Sequence, residues 1–153
     1  MSAMIRASVL FVLLFCSLGI GAQELYQSNA AGIALSPIEA SQRGAYEYVL
    51  EIDRQDGVRE RRLYRDGELT TTERLVVDGR GRVLEEERYE EGVLRTARLY
   101  GDRGAVREIR HYDAEGNLET SVELDYTDGR RTAERHYGQD AELVYTDRFS
   151  YGS

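Results

Sequence analysis

The alternation of apolar and polar positions along residues 57–137 is typical of short β-strands. In each stretch an aliphatic side chain stands six or eight residues before an aromatic side chain or a valine. The pairs are Leu69 and Val77, Val83 and Tyr89, Leu94 and Tyr100, Val106 and Tyr112, and Leu118 and Tyr126. Because side chains alternate sides along a strand, an even spacing puts both members of a pair on one face. A helix would need spacings of three, four or seven residues, so the pattern predicts strands.

Glycine returns at nearly even intervals between these stretches. Consecutive glycines of the series are 11 to 14 residues apart: Gly67, Gly81, Gly92, Gly104, Gly116 and Gly129. Glycine accepts the positive φ that tight hairpin turns need, and we expect such reversals at Gly92, Gly104 and Gly116. A repeat of about 12 residues fits one strand of about eight residues and a turn of about four. Residues 45–153 are therefore predicted to form an all-β domain, an antiparallel meander of about 8–9 strands.

Charged side chains interrupt the apolar positions on both faces of the predicted strands. Glu87 and Arg110, for example, lie on the same face as the anchors of their strands, and Arg88 lies on the other. A β-sandwich needs one consistently apolar face per sheet, which these strands do not supply. The charges suit cross-strand Arg–Glu pairs instead. We therefore expect a twisted sheet that is largely one layer thick, with a small open barrel as the alternative.

One turn and its flanks resemble a known bacterial repeat. The segment Tyr112-Asp113-Ala114-Glu115-Gly116-Asn117-Leu118 resembles one unit of the YD repeats of large bacterial surface and toxin-shell proteins. Looser copies are Tyr126-Thr127-Asp128-Gly129-Arg130 and Tyr64-Arg65-Asp66-Gly67-Glu68-Leu69, and Val77 stands where the repeat would have tyrosine. The chain is also similar to the Tyr-x-x-Gly hairpin repeats of MORN-like bacterial proteins. The resemblance spans about residues 57–137 and implies a β-hairpin scaffold without catalytic residues.

The start of the chain has the order of a secretory signal peptide. Arg6 is followed by an apolar run over residues 9–15, and small residues lead up to Ala22. This order predicts a signal peptide at residues 1–22 and export to the periplasm or cell surface. Cys16 stands behind the apolar run, so an alternative is a lipoprotein anchored to the membrane through Cys16. Residues 23–44 are small and polar without a sustained period, and we interpret them as a lead-in or linker.

Composition narrows the classes of partner. The chain carries 28 acidic and 20 basic residues, a net charge of −8. Binding to nucleic acid is driven by clustered cations, and this acidic chain has no basic block, so we expect no nucleic-acid partner. The same argument speaks against anionic lipid head groups, which leaves membrane attachment only through a lipidated Cys16.

The residues do not form a recognisable catalytic motif. His111 and His136 both stand between an arginine and a tyrosine, which makes them copies of one structural position rather than metal ligands. A zinc site needs three or four ligands, and cleavage near Ala22 would leave the mature chain without a cysteine to supply one. Serines lie near no nucleophile elbow, and no phosphate-binding loop is present. We therefore predict no enzyme activity, no cofactor and no metal; a glycosidase with carboxylates paired across strands is the residual alternative.

The tyrosines are the candidate binding residues. The candidate face consists of Tyr89, Tyr100, Tyr112 and Tyr126, whose rings could stack on sugars or bind peptide. The hypothesis that accounts best for the sequence is a non-catalytic, exported β-repeat scaffold or adaptor that binds a protein in the cell envelope. The first alternative is a periplasmic carrier or chaperone for lipid or lipoprotein that uses a curved sheet. A lesser alternative is carbohydrate binding through the tyrosines.

Overall fold

The fold is one open antiparallel β-sheet, seen in a computed structural model that describes residues 23–151. The eleven strands are β1 (Glu24–Ser28), β2 (Ala34–Pro37), β3 (Tyr48–Gln55), β4 (Val58–Arg65), β5 (Glu68–Val77), β6 (Val83–Glu90), β7 (Val93–Tyr100), β8 (Val106–Tyr112), β9 (Leu118–Thr127), β10 (Arg130–Tyr137) and β11 (Leu143–Arg148). A short 3-10 helix covers Ala40–Ala45. The all-β prediction is confirmed. The signal peptide predicted for residues 1–22 and Cys16 lie outside the described residues.

Strand order follows chain order over most of the sheet. Strands β3 to β11 form a continuous meander, and β1 pairs with β3, so that β2 and β11 are the two edges. The strands of residues 23–151 do not close into a barrel, so the single open sheet is confirmed over the barrel alternative. The predicted strand number of about 8–9 is lower than the eleven found. Nine strands lie within residues 45–153, and the two extra ones come from the lead-in.

The hairpin turns explain the glycine repeat. In the two-residue turn between β6 and β7, Glu91 and Gly92 both have positive φ, at 50° and 81°. This combination defines a type I′ turn, whose twist matches that of the flanking strands. Gly104 and Gly116 end longer turns and also have positive φ, at 76° and 85°. The positive φ expected at Gly92, Gly104 and Gly116 is thus confirmed.

A carboxylate fixes the longer turn that resembles the YD repeat. Oδ1 of Asp113 accepts hydrogen bonds from the backbone N–H groups of Glu115 and Asn117, at 3.0 and 2.8 Å. The bonds from the backbone and side chain of Asn117 favour the charged carboxylate and lower the pKa of Asp113. Asp78 forms the same arrangement with the N–H groups of Arg80 and Arg82 in the turn between β5 and β6. The aspartate is therefore a turn residue in both places.

The lead-in packs on the sheet, contrary to its interpretation as a loose linker. Strand β1 pairs with β3, where Tyr26 lies opposite Leu50 and Gln27 opposite Val49. The loop after β1 reaches across β4, because Nη2 of Arg61 donates to the carbonyl oxygen of Gly32 at 2.8 Å. Each lead-in strand is only four or five residues long. A segment that short shows no readable period. Strand β1 forms because β3 offers it a partner, and β2 in turn pairs with β1.

Part of the buried core lies beneath this lead-in, and further buried apolar residues are Ala97 in β7 and Leu124 in β9. Val49 and Leu50 are each 2% exposed, and Glu51 is 4% exposed. Neighbouring residues of a strand point to opposite faces, so β3 is covered on both sides. The lead-in provides both covers: Gly32 lines a hollow with Leu50 on one face, and Arg43 of the 3-10 helix pairs with Glu51 on the other. Beyond β4 the sheet continues largely as a single layer.

Candidate functional site

The two faces of the sheet can be told apart by register. We call the face that carries Tyr89 the tyrosine face and the opposite face, which carries His136, the histidine face. A row of directly paired residues crosses the tyrosine face from β4 to β10 and consists of Glu60, Arg74, Glu87, Ala97, Arg110, Ser121 and Tyr137. A row on the histidine face consists of Leu75, Glu86, Arg98, Ile109, Val122, His136 and Tyr145.

The four candidate tyrosines do not share one face. Tyr89 donates its hydroxyl hydrogen to Oε2 of Glu87 at 3.0 Å, and Tyr100 donates to Oε2 of Glu86 at 2.6 Å. Glu86 and Glu87 are neighbours in β6, so the two tyrosines lie on opposite faces. Tyr112 lies on the tyrosine face with Arg110, two residues before it in β8, whereas Tyr126 lies on the histidine face. The structure therefore does not bring the four candidates together.

A different set of tyrosines forms a row on the tyrosine face, which we call the tyrosine ladder. From β4 to β10, every strand except β5 has a tyrosine as its last or second-last residue. Turns alternate between the two ends of a meander, so only every second strand ends on the same side. Those strands are β4, β6, β8 and β10, and their last tyrosines on the tyrosine face are Tyr64, Tyr89, Tyr112 and Tyr137. These tyrosines follow one another at 25, 23 and 25 residues along the chain. The signal that could have found them is this hairpin-length period, twice the strand period.

Carboxylates on the tyrosine face bond to both arginine and tyrosine. Glu87 accepts from Arg74 at 2.8 Å as well as from Tyr89. The pattern recurs between β9 and β10, where Glu123 accepts from Nε of Arg135 at 3.1 Å and from the hydroxyl of Tyr137 at 2.9 Å. These shared carboxylates link neighbouring strands across the open face.

The same bonds raise the pKa of the tyrosine and of the arginine that donate to these carboxylates. Burial, and then the hydrogen bond to Glu87, raise the pKa of Tyr89. Hydrogen bonds to Glu123 and Asp125 raise the pKa of Arg135. The tyrosine hydroxyl and the arginine guanidinium group therefore both hold their protons more tightly and remain donors. This is the electrostatics of a structural network, and it matches the cross-strand Arg–Glu pairs expected from the sequence.

Two hollows, one on each face of the sheet, are lined by both charged and apolar side chains. One on the tyrosine face has a volume of about 370 Å³, and its lining includes Glu108, Arg110, Tyr112 and Tyr137. One on the histidine face, beside the lead-in loop, has about 280 Å³, and its lining includes Leu50 and Arg61. Charged groups line both hollows, which suits neither a lipid chain nor a buried apolar ligand.

The edge strand β11 is the most exposed element of the sheet. All six of its residues are exposed, including Leu143, Val144 and Tyr145, which are 51%, 65% and 51% accessible. Its partner β10 covers one side, and the other side is the edge of the sheet. The opposite edge, β2, ends in Pro37, a residue that lacks the N–H group needed for strand pairing. The two edges therefore differ in their capacity to accept another strand.

The two histidines share a face but differ in their surroundings. His111 is exposed and pairs with Thr96 and Thr120 on the neighbouring strands. His136 is half-buried, and its ring stacks on that of Tyr145, with 4.1 Å between the ring centres and 13° between the planes. The common register expected from the sequence is present, and the neighbours set the two positions apart.

Comparisons with known proteins assign no family. No family model and no curated protein matches the chain. Among solved structures, the crystal structure of TarM is similar over 62% of this chain, with a TM-score of 0.34 and 10% sequence identity. A mutant of S. aureus TarM in complex with fondaparinux, alpha-GlcNAc-glycerol and UDP is similar over 69%, with a TM-score of 0.34 and 11% identity. This chain spans 16% and 20% of the length of those two chains. Similarity at this level carries no argument about function.

Within residues 23–151, helix is too short and too polar for a membrane-crossing segment.

Proposed function

We propose that this protein is a non-catalytic, exported β-repeat scaffold or adaptor that binds a protein partner in the cell envelope through strand β11. The observation that carries the proposal is the exposure of all six residues of this edge strand, Leu143–Arg148. An unpaired edge presents a row of N–H and C=O groups to a partner strand. Strand addition of this kind takes its affinity from main-chain hydrogen bonds and its specificity from alternate side chains.

The side chains of β11 define the kind of segment that fits. Leu143 lies on the tyrosine face opposite Tyr137, and Tyr145 lies on the histidine face opposite His136. Val144 is the extra residue of a bulge between them. A partner would be an extended segment that places one apolar side chain over Leu143 and another beside Tyr145. Natural edge strands are commonly protected by lysine, proline or a bulge that twists the edge away. The Leu143-Val144-Tyr145 run contains no charge and no proline. Its bulge at Val144 lies near the start of β11, and residues 145–148 pair with β10 in regular register.

The remainder of the sheet suits a scaffold better than the alternatives. A lipid or lipoprotein carrier needs a continuous apolar face, whereas the middle row of the tyrosine face holds Arg74, Glu87 and Arg110. A sugar-binding ladder of the four candidate tyrosines would need them on one face. Export is the part of the proposal that rests on the order of residues 1–22 alone.

Site-specific crosslinking in intact cells tests the proposal. A photoreactive residue at Leu143 should give a discrete crosslink to an envelope protein, and Val144→Lys in the same chain should abolish it, because a charged edge disfavours strand addition. The matched control is the same photoreactive residue at Leu84, which is 44% exposed but lies in the inner strand β6. An equally strong crosslink from Leu84, or one that survives Val144→Lys, would contradict binding through β11.

A further inference from the structure

Two carboxylates and a histidine meet on the histidine face, where β10 pairs with β11. Glu134 lies directly opposite Asp147, and His136 lies directly opposite Tyr145. Nε2 of His136 is 3.5 Å from Oε2 of Glu134 and 3.9 Å from Oδ2 of Asp147. One ligand atom from each of the three residues lies within 4.8 Å of the other two.

Two carboxylates face each other in this cluster. Like charges directly opposite each other on neighbouring strands destabilise a sheet. The Glu134 side chain is only 18% exposed, so water screens it poorly. Nε2 of His136 is buried as well, and it has no hydrogen-bond partner among the described residues. A buried polar atom without a partner costs free energy that a ligand would recover.

Arg131 pairs with one of the two oxygens of Glu134. Nη1 of Arg131 pairs with Oε1 of Glu134 at 2.5 Å. The guanidinium group of Arg131 also lies over the ring of Phe149, 4.8 Å from its centre. Arg131 therefore occupies one oxygen of Glu134, and it is the other oxygen, Oε2, that lies 3.5 Å from His136. An outer partner that orients a ligating carboxylate in this way is a usual feature of metal sites.

We propose that Glu134, His136 and Asp147 bind a divalent transition-metal cation of the zinc class. Zinc takes imidazole nitrogen and carboxylate oxygen at about 2.0–2.2 Å, so neighbouring ligands of a tetrahedral site lie about 3.3–3.6 Å apart. The separations of 3.5 and 3.9 Å are close to this range. The imidazole ligand favours zinc, copper or nickel over magnesium and calcium, which prefer all-oxygen sites. Three protein ligands leave a fourth position for water or for a group of a partner.

The site would connect an inner strand to the edge strand. Two of the ligands belong to β10 and one to β11, and the stacked Tyr145 ring holds the plane of His136. A bound cation would therefore fix β11 against β10, next to Leu143, Val144 and Tyr145. The metal site stands independently of the proposed function, since its evidence is the geometry of three side chains.

His111 supplies a matched control for the experiment. It occupies the equivalent position two strands away, again between an arginine and a tyrosine, but Ile109 stands two residues before it where His136 has Glu134, and its cross-strand partners are threonines. The protein for the test is the full chain with Cys16→Ser, which removes a competing thiol ligand, treated with chelator and titrated with Zn²⁺ by calorimetry near neutral pH. Co²⁺ provides a second reading, because a tetrahedral site gives intense visible absorption.

We expect one equivalent of Zn²⁺ to bind and to raise the melting temperature. His136→Gln and Asp147→Asn should each weaken Zn²⁺ binding at least about tenfold, the lower end of what even outer-shell changes cost. His111→Gln should bind as the unaltered chain does, and excess Mg²⁺ or Ca²⁺ should not compete. Circular dichroism of each variant verifies that the sheet is intact. Failure of the full chain to bind Zn²⁺, or equal binding by folded His136→Gln, would overturn the proposal.

Discussion

Tyr100 donates its hydroxyl hydrogen to Oε2 of Glu86 across the β6–β7 pair, at 2.6 Å. The other oxygen of the same carboxylate accepts from Arg98 at 2.9 Å. Burial, and then the bond to Glu86, raise the pKa of Tyr100 to about 12. One carboxylate on the histidine face thus connects two strands through both of its oxygens, at a place where the sheet has no second layer.

This bond predicts a loss of stability at alkaline pH. The folded-state pKa of Tyr100 is raised above the ordinary value of 10.0, so the folded protein holds this proton more tightly than the unfolded chain. The contribution is complete below pH 10.0 and is lost as the pH rises towards about 12. We expect Tyr100→Phe to be less stable than the unaltered chain at neutral pH and to show a shallower decline over this window. Urea unfolding at a series of pH values measures both.

The control for Tyr100 is Tyr126→Phe. Tyr126 lies on the same face and is 39% exposed. Its substitution should change neither the neutral-pH stability nor the alkaline decline by a comparable amount. Equal declines for all three proteins would show that the Glu86 bond does not govern the alkaline transition.

A second prediction concerns the backbone of the glycine turns. Gly104 has a φ of 76°, and a Cβ added there would meet nothing within 4 Å. The cost of Gly104→Val is therefore conformational, about 1–3 kcal/mol for a β-branched residue forced into the left-handed region. Gly104→Asn should recover most of this loss, because asparagine enters that region more readily. Thermal or urea unfolding of the two variants gives the comparison, with Thr120→Val on an exposed strand position as a reference. A Gly104→Val protein that unfolds like the Thr120→Val reference would contradict the turn assignment.

The repeat part of the fold was accessible from sequence because it depends on local rules. Even spacings such as that of Val83 and Tyr89 report strand faces, and a glycine such as Gly116 reports a turn with positive φ. Strands β1 and β2 were missed for a different reason. They are short, they lack a glycine repeat, and they exist because β3 pairs with β1. Pairing between segments that are distant in the chain leaves little signal in a local pattern.

The residues of the candidate site could not be predicted from the sequence, because they are brought together by the register between strands. Spacing within one strand does not determine that register. Tyr89 and Tyr100 hold equivalent places in the 12-residue pattern. They nevertheless lie on opposite faces, and their antiparallel strands β6 and β7 end on opposite sides of the sheet. His111 and His136 have the same sequence neighbours, an arginine before and a tyrosine after. What distinguishes His136 is Asp147, which belongs to the next strand and lies opposite Glu134. A one-residue shift in pairing would have moved Asp147 to the other face.

A third prediction concerns export. The charged, apolar and small residues of 1–22 predict signal cleavage near Ala22, which would leave β1, starting at Glu24, intact in the mature chain. Mass spectrometry of the native protein should find its N-terminus at or near Gln23. Acylation at Cys16 would instead indicate the lipoprotein alternative, and an intact Met1 in a cytoplasmic fraction would refute export.

The last prediction compares the loss of stability caused by truncating a leucine in two places: in the part of the sheet that the lead-in covers, and in the single-layer part. Leu50 is 2% exposed between β1, β4 and the loop at Gly32, whereas Leu84 in β6 is 44% exposed. Truncating a buried leucine removes its transfer free energy and leaves a cavity, so Leu50→Ala should cost about 2–5 kcal/mol. Leu84→Ala deletes the same atoms from a strand surface and should cost well under half as much, because much of that side chain already contacts water. Urea unfolding of the two variants makes the comparison. If the two losses were equal, the lead-in would not bury β3, and the interpretation of residues 23–44 as a loose linker would stand.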